Sequence, residues 1–369
     1  MTPVDAAVRA EIQRRGPIPF SEVVERALYA PDGGFYASGG RAGRRGDFLT
    51  SPEVGPLFGV VVAGALDAWW DQAGRPAVFP VVEAGAGPGT LARAVLAAEP
   101  RCAPALRYVL VERSAAQRDL HAEHLALEPP GSAFASLPEP DDDDTRAVGP
   151  PPAGPVLVSL PDLPRLPGPC IVLANELLDN LPFGLLERTA NGWAEVHVGL
   201  DGDDLVEVPL PTADPGDVAA AVGARIPRQL AAAAWVADAR ALAGAGGRVV
   251  ALDYASTTAD LAQRPWTEWV RTYRGHARGG PPLEHLGTQD ITCEVAVDQL
   301  PAPAATSSQA DWLRAHGIDD LVAQGRAEWE ERAAVGDLAA VRARSRIGEA
   351  AALLDEGGLG AFRVLEWRG

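Results

Sequence analysis

The first part of the chain carries apolar side chains at helical spacing. Between residues 20 and 29 they fall at i, i+3, i+4 and i+8, starting from Phe20, which predicts an amphipathic helix. Residues 57–70 are almost continuously apolar and predict a second, buried helix. We therefore expect residues 1–74 to form an N-terminal helical segment, interrupted by a glycine-rich turn.

Residues 75–255 alternate between short apolar runs and segments with helical periodicity. The predicted strands are 78–83, 106–112, 156–159, 170–174 and 247–253, and the predicted helices among them include 90–98 and 114–127. Such alternation is typical of βαβ units and predicts an α/β fold with a parallel, doubly wound sheet. Residues 359–367 predict a final strand.

Two further parts of the chain are predicted to be largely helical. A hairpin is expected at 183–198 with its turn at Asn191 and Gly192, followed by helices from about Asp217 and Arg228. Together these make an insertion, about 183–245, within the core of 75–255. Residues 256–358 are expected to form a mainly helical lobe on the substrate side, and residues 359–369 the last core strand.

Composition narrows the classes of partner. The formal net charge of −18 argues against a nucleic-acid substrate, because a phosphate backbone requires a basic face. The acidity suits a small cofactor with a basic protein substrate, and simple solubility explains it equally well. No apolar run reaches the roughly 20 residues of a membrane span, and the three widely spaced cysteines predict neither a metal site nor disulfides. These features predict a cytoplasmic protein.

A glycine-rich turn follows the first predicted strand of the core. Glu83 precedes Gly85, Gly87 and Gly89, and glycine at such a point lets the backbone turn sharply and approach a ligand. A dinucleotide-binding turn that starts at Gly85 requires a sixth-position glycine, and Thr90 stands there. The spacing instead predicts S-adenosyl-L-methionine as the cofactor, with Glu83 placed to attract its amino group.

An acidic residue also ends the second predicted strand of the core. Glu112 is positioned to accept hydrogen bonds from both ribose hydroxyls of a nucleoside cofactor. NAD enzymes use an acid at the same place, so this residue alone does not distinguish the two cofactors. The glycine turn and Glu112 in this order predict a nucleoside-cofactor site, and the glycine spacing favours methyl transfer.

Four blocks of sequence extend this interpretation beyond a single motif. They are residues 27–36 (ALYAPDGGFY) with 46–59 (GDFLTSPEVGPLFG), the glycine turn with 111–114 (VERS), residues 174–183 (ANELLDNLPF), and a dispersed set at 253–254, 271–273, 276, 282–292 and 359–365. In these blocks the chain resembles the MidA-like group of methyltransferases, which includes a mitochondrial assembly factor of respiratory complex I. The blocks span almost the whole chain in the order of the family.

The resemblance implies a fold, a reaction and a class of partner. The implied fold is the Rossmann-like class I methyltransferase fold, with a mostly parallel seven-stranded sheet and helices on both faces. The implied reaction is S-adenosylmethionine-dependent methylation of an arginine side chain in a protein, as for the mitochondrial relative and its respiratory-complex subunit. Neither a nucleic-acid partner nor a membrane partner is expected.

The third block carries the candidate catalytic residues. Asn175 and Glu176 follow a predicted core strand, where substrates approach in this fold, and Asp179 lies one helical turn after Glu176. A carboxylate can bind a guanidinium through two hydrogen bonds and accept its proton, so Glu176 is the first candidate, with Asp179 second and Asn175 as an orienting amide. The alternative is structural: Asp179 caps the turn and Glu176 pairs with an arginine.

The first block predicts a lid over the cofactor. Its glycines at 39–46 would act as hinges, and the candidate cofactor-binding residues in it are Asp47, Thr50, Ser51 and Pro52. The alternative is that Thr50 or Ser51 caps a helix over residues 53–70, with Pro52 in its first turn. His276 is a candidate for lining the substrate channel, and a surface hydrogen-bonding role explains it as well.

Three functions remain open at this point. The first is a protein methyltransferase that acts on arginine. The second is a non-catalytic assembly factor that keeps the cofactor site and works by binding a partner. The third, an NAD-dependent oxidoreductase, is disfavoured by Thr90.

Overall fold

The computed structural model describes residues 1–39, 50–131, 153–166, 168–275, 277–335 and 337–369. Its strands, in chain order, are β1 (Ile18–Pro19), β2 (Phe79–Ala84), β3 (Leu106–Val111), β4 (Val156–Leu160), β5 (Ile171–Asn175), β6 (Gly184–Thr189), β7 (Gly192–Asp201), β8 (Asp204–Thr212), β9 (Arg225–Arg228), β10 (Arg248–Asp253), β11 (Ala255–Ser256), β12 (Val270–Arg274), β13 (Ala277–Arg278), β14 (Asp290–Cys293), β15 (Val295–Ala296), β16 (Ala305–Ser308) and β17 (Arg363–Arg368).

Helices surround these strands. They are α1 (Pro3–Arg15), α2 (Phe20–Tyr29), α3 (Ser51–Val54), α4 (Pro56–Gln72), α5 (Thr90–Ala97), α6 (Ala115–His124), α7 (Leu230–Ala243), α8 (Thr258–Ala262), α9 (Trp266–Trp269), α10 (Gln309–Ala315), α11 (Ile318–Arg332) and α12 (Leu338–Leu353). Short 3₁₀ turns lie at Ala103–Ala105, Leu178–Asn180, Val297–Gln299 and Leu359–Ala361. No helix in these ranges is long and apolar enough to cross a membrane.

The central sheet has seven strands in the order β16-β17-β10-β5-β2-β3-β4. From β4 to β10 neighbouring strands pair in parallel, and β17 runs antiparallel to both β10 and β16. Six strands therefore share one direction, which confirms the predicted α/β fold with a mostly parallel seven-stranded sheet. Its central strands β2, β3, β5 and β10 are buried on both faces, in agreement with their mostly apolar sequences, whereas the edge strand β16 is partly exposed.

The strand order creates a switch point between β2 and β5. The chain runs outward from β2 through β3 to β4 and then returns to place β5 on the other side of β2. Ala84 at the end of β2 pairs with Ala174, one residue before the end of β5. The glycine turn and the Asn175–Glu176 pair therefore leave the sheet side by side, in the crevice where open α/β sheets bind ligands.

The largest correction concerns the insertion, which is a β-sheet and not a largely helical segment. Strands β6 to β9 form it together with β1, and β8 pairs along its whole length with β7. The predicted helix from Asp217 is absent from these described residues, whereas α7 follows the predicted start near Arg228. Alternating valines in β8 and the turn at Gly202, whose φ is +58°, favour a hairpin over a helix. Residues 256–358 combine β11 to β16 with helices.

The predicted helix over residues 53–70 is divided into α3 and α4 at Gly55. A Cβ built on Gly55 would lie 2.3 Å from the Glu349 carboxyl carbon, so only glycine admits this side chain. Glu349 Oε2 accepts a hydrogen bond of 2.8 Å from the Leu57 N–H and so satisfies a donor at the start of α4. Helix α3 is thereby fixed against the C-terminal helix α12.

Two glycines of α4 give a direct test of packing on this face of the sheet. A Cβ on Gly59 would lie 2.3 Å from Ala94 Cβ in α5, whereas Gly64 is exposed and its Cβ would meet only one atom, at 3.9 Å. We expect Gly59→Ala to lower the free energy of unfolding by about 1–3 kcal/mol, because the helices must separate. Gly64→Ala should raise it by up to about 1 kcal/mol through helix propensity.

Urea unfolding of both variants measures this difference. Because the substitution and the helix are the same, opposite signs report on packing alone. Equal effects at the two positions would contradict the close approach of α4 to α5.

Candidate active site

A cavity of about 490 Å³ occupies the switch point of the sheet. The ends of β2, β3 and β5 supply its floor through the glycine turn, Glu112 and Asn175–Glu176. Its other walls come from α2 and the following turn, from α3, from the segment after β4 and from α7, through residues such as Tyr29, Tyr36, Thr50, Leu163 and Trp235. The volume is within the range of pockets that hold a nucleoside-sized ligand.

The glycine turn needs glycine at each of its three positions. Gly85, Gly87 and Gly89 have φ values of +68°, +53° and +79°, a region that side chains disfavour. Gly89 also forms the N-cap of α5. The turn thus brings bare backbone and the start of a helix to the cavity, as an anionic or polar cofactor group requires.

Both predicted acids of the cofactor site line the cavity. Glu112 accepts hydrogen bonds from the Gly87 N–H at 2.9 Å and from the Ser114 N–H at 2.8 Å, one on each carboxylate oxygen. Glu83 accepts a hydrogen bond of 2.7 Å from the Tyr108 hydroxyl, and burial raises the pKa of Glu83 to about 8. A cationic group beside Glu83 would reverse that shift by stabilising the carboxylate.

Sequence reasoning missed a histidine beneath the turn. His121 in α6 is fully buried, with Nε2 2.8 Å from the Gly87 carbonyl oxygen and Nδ1 2.8 Å from Ser159 Oγ. It joins the glycine turn to β4, and burial lowers its pKa, which favours the neutral ring. Nothing in its local sequence marks this role, because its partners are distant along the chain.

Glu176 projects from a strained backbone position at the end of β5. Its φ is +52°, and its N–H donates a 2.8 Å hydrogen bond to the Leu252 carbonyl. Its Oε1 accepts from the Ser51 N–H at 3.1 Å and from Asn175 Nδ2 at 3.0 Å. Burial raises its pKa to about 7. Among the described residues, the Glu176 side chain bonds to Ser51 and Asn175 and to no arginine. The alternative in which Glu176 only pairs with an arginine is therefore not supported.

Asp179 does not share a helical face with Glu176. Residues 178–180 form a single 3₁₀ turn after the left-handed Glu176, so no α-helix brings the two side chains together. Asp179 is buried outside the cavity lining, and its N–H donates to Asp253 Oδ2 at 3.2 Å. Burial and the nearby Asp253 carboxylate raise its pKa well above the usual range. The structure therefore separates Asp179 from the cavity that Asn175 and Glu176 line.

In the segment that begins at Thr50, some residues line the cavity and one is buried behind its wall. Thr50, Pro52 and Glu53 line the cavity. Ser51 is fully buried, and its N–H donates a hydrogen bond to the cavity residue Glu176. Thr50 stands at the N-cap of α3 without a side-chain cap bond. Asp47, His276 and most of the predicted hinge glycines lie outside the described residues.

The polar groups of the cavity fit S-adenosylmethionine. The two acids suit its amino group and ribose, and the glycine turn admits its close approach. In addition, Asn175 Oδ1 is buried and has no hydrogen-bond partner among the described residues, so a polar ligand group is the partner that would satisfy it. The described residues form no cluster of His, Cys, Asp or Glu that could hold a metal ion.

Comparison with known families agrees with this geometry. The profile of a family described as "Putative S-adenosyl-L-methionine-dependent methyltransferase" matches residues 61–316, more than half of the chain. The chain belongs to this family. Its cofactor is therefore S-adenosyl-L-methionine, as the glycine spacing predicts, and the NAD alternative is not supported.

Curated relatives and a solved structure extend the match. The protein arginine methyltransferase NDUFAF7 of Danio rerio is 28% identical over 338 residues, covering 84% of this chain and 75% of the relative. The human protein of that name is 30% identical over 230 residues, covering 59% and 50%. A methyltransferase-like protein of Burkholderia thailandensis, solved with bound S-adenosyl-homocysteine, has a TM-score of 0.76 at 27% identity, covering 99% and 92%.

These relatives confirm the MidA-like resemblance and correct one prediction. The NDUFAF7 proteins are named as mitochondrial, which contradicts the cytoplasmic location predicted from the sequence, and that location is not retained. Cysteine spacing and the lack of a long apolar run carry little information about compartment. The matches to the Drosophila melanogaster, mouse and human relatives span about half of those proteins' length.

Proposed function

We propose that this protein transfers a methyl group from S-adenosylmethionine to an arginine side chain of another protein. The observation that carries the proposal is Glu176, a half-buried carboxylate at the wall of the cofactor cavity with one oxygen, Oε1, held by two donors. The names of the NDUFAF7 relatives as protein arginine methyltransferases support the same acceptor.

The residues of β2 and β3 would hold the cofactor. When bound, S-adenosylmethionine supplies an electrophilic methyl group on a sulfonium. Glu112 would take the ribose hydroxyls while its bonds to the Gly87 and Ser114 amides keep it in place. Glu83 would pair with the amino group, and the glycine turn would admit the chain of the cofactor without a steric clash.

Glu176 would bind and deprotonate the acceptor. An ionised carboxylate attracts the planar guanidinium and orients one nitrogen toward the methyl group. That nitrogen forms the new bond to carbon, the carbon–sulfur bond breaks with its electron pair going to sulfur, and Glu176 takes the proton that the nitrogen loses. A pKa of about 7, raised by desolvation, lets Glu176 alternate between the two forms near neutral pH.

Two other predicted residues take supporting parts in this proposal. Asn175 orients Glu176 through the 3.0 Å bond from Nδ2 to Oε1. Asp179 lies outside the cavity lining, so it would support the turn after Glu176 rather than contact the acceptor. The net charge of −18 favours the approach of a basic protein segment.

Mass spectrometry of methylated arginines tests the proposal in cells. A strain lacking the gene should lose at least one methylarginine-bearing peptide that its parent contains. The wild-type gene should restore that peptide, and a gene carrying Glu176→Gln should not. An unchanged set of methylarginines in the deletion strain would count against arginine as the acceptor and direct attention to other methylated side chains.

A further inference from the structure

Ser51, whose N–H donates to Glu176, also bonds to a glutamine that does not line the cavity. Ser51 and Gln309 are both fully buried, and Ser51 Oγ donates a 2.9 Å hydrogen bond to Gln309 Oε1. Gln309 is 258 positions away from Ser51 in the sequence and is not among the residues that line the cavity. It belongs to the first turn of α10.

Gln309 is itself anchored on two sides. Its backbone N–H donates to the Phe362 carbonyl at 2.7 Å, and its side-chain Nε2 donates to the Leu353 carbonyl at 3.3 Å. Phe362 lies between the 3₁₀ turn and β17, and Leu353 is the last residue of α12. Since the amide has an oxygen for Ser51 and a nitrogen for Leu353, one planar group fixes the position of Ser51 relative to the C-terminal core.

The position of Ser51 matters because its backbone amide is one of two donors to Glu176 Oε1. The other donor, Asn175, adjoins Glu176 in the chain, so the bond from the Ser51 N–H is the link that comes from a distant part of the fold. Helix α3 is short and lacks a side-chain cap, so its first residue needs tertiary contacts to stay in place. Gln309 supplies one through the Ser51 hydroxyl, and Glu349 supplies another at Gly55 and Leu57.

We propose that Gln309 is a positioning residue for the methyl-transfer reaction, which acts through Ser51 to hold the Glu176 carboxylate in its reactive direction. This inference rests on the proposed function of Glu176. It assigns Ser51, predicted from sequence to bind the cofactor, to the support of the catalytic carboxylate. Gln309 and the Ser51 hydroxyl work as one link, so removing either partner breaks the same connection.

Two variants break the link without a large change in volume. Gln309→Met keeps the length of the side chain, and Ser51→Ala keeps the backbone N–H that meets Glu176. With tritiated S-adenosylmethionine at saturation and an extract of the deletion strain as acceptor, each should lower the initial rate about tenfold, the size of one weakened bond to a charged group. The double variant should fall no further than the lower single variant, because the link is already broken.

Affinity and pH dependence separate positioning from general damage. The dissociation constant of S-adenosylmethionine, measured by calorimetry, should stay within about twofold of wild type. The wild-type rate should rise with pH through about 7 as Glu176 ionises, and in both variants that rise should move up by about half to one pH unit, because a donor to the carboxylate is less well held. The carboxylates of Asp179, in the 3₁₀ turn, and Asp253, at the end of β10, interact electrostatically with Glu176 and are unchanged in these variants.

A stability measurement gives the same information without activity. The pKa of Glu176 is higher in the folded protein than its ordinary value of 4.5, so its contribution to stability is fully present below pH 4.5 and is lost as pH rises to about 7. The difference in unfolding free energy between Glu176 and Glu176→Gln proteins should follow this course. In the Gln309→Met protein the pKa of Glu176 should be higher, so the stability contribution of Glu176 should still be falling above pH 7.

Gln229→Met is the matched control. Gln229 is also a buried glutamine that joins distant segments, through hydrogen bonds to Glu294 and Ala296, and within the described residues its hydrogen bonds do not include Glu176. It should lose stability like Gln309→Met and keep the wild-type rate and pH profile. If Gln309→Met behaves in the same way as this control, Gln309 is only structural and the inference is wrong. If Glu176→Gln proves fully active, the proposed function of Glu176 fails first, and the two failures are thus distinguished.

Discussion

Replacing Glu176 with glutamine is expected to lower the rate of methyl transfer by about 1,000-fold and leave the affinity for S-adenosylmethionine within about twofold of wild type. Glutamine keeps the shape of the side chain, and its carbonyl oxygen can still accept from the Ser51 and Asn175 donors. It lacks the negative charge that attracts a guanidinium and the basicity that accepts a proton. The effect therefore falls on chemistry and not on the cofactor pocket.

Initial rates with tritiated S-adenosylmethionine and calorimetric titration of the cofactor measure the two effects separately. Glu123→Gln is the control, because Glu123 is an exposed acid at the end of α6 and makes the same change in net charge. Loss of cofactor binding in Glu176→Gln would place this residue in the cofactor pocket. Full activity would show that the acceptor is deprotonated elsewhere or loses its proton to water.

Replacing Glu112 with glutamine should weaken S-adenosylmethionine binding by about 100-fold. The two oxygens of Glu112 accept from the Gly87 and Ser114 amides, and an amide side chain has only one oxygen to offer. One backbone N–H then faces an NH₂ group, and the ribose hydroxyls lose an ionised acceptor, a change worth about 2–3 kcal/mol.

Calorimetry at fixed pH and salt measures this loss, with Glu123→Gln again as the control for charge. At a saturating cofactor concentration the rate should recover most of its wild-type value, since Glu176 is unaffected. An unchanged dissociation constant would mean that Glu112 only stabilises the turn and does not contact the cofactor.

The sequence determined the core of the fold and the cofactor through local patterns. The strands on either side of the glycine turn are apolar and short, and each is followed by helical periodicity, which leaves few alternatives to a parallel sheet. The spacing of Gly85, Gly87 and Gly89 reflects backbone angles that other residues resist. Both kinds of signal are contained within a few residues, so they can be interpreted without the rest of the chain.

The insertion shows where such local reasoning fails. The β8 strand is held by hydrogen bonds to β7, and its own prolines and acids give only a weak strand pattern. Asp217 itself lies in the irregular connection between β8 and β9, where Pro215, Gly216 and Gly223 disfavour the predicted helix. The expectation that Asp179 and Glu176 share one helical face was wrong because their spacing suits an α-helix, and the chain forms a 3₁₀ turn there.

Only the tertiary structure decided which residues support the site. His121 in α6 forms a hydrogen bond with the carbonyl of Gly87 in the glycine turn, and Gln309 accepts one from Ser51, 258 positions away in the sequence. A hydrogen bond between distant segments leaves no periodicity or spacing in the sequence, because either partner could serve elsewhere in the fold. The sequence by itself thus determined the sheet, the cofactor turn and Glu176 as a candidate, whereas packing determined how that carboxylate is held.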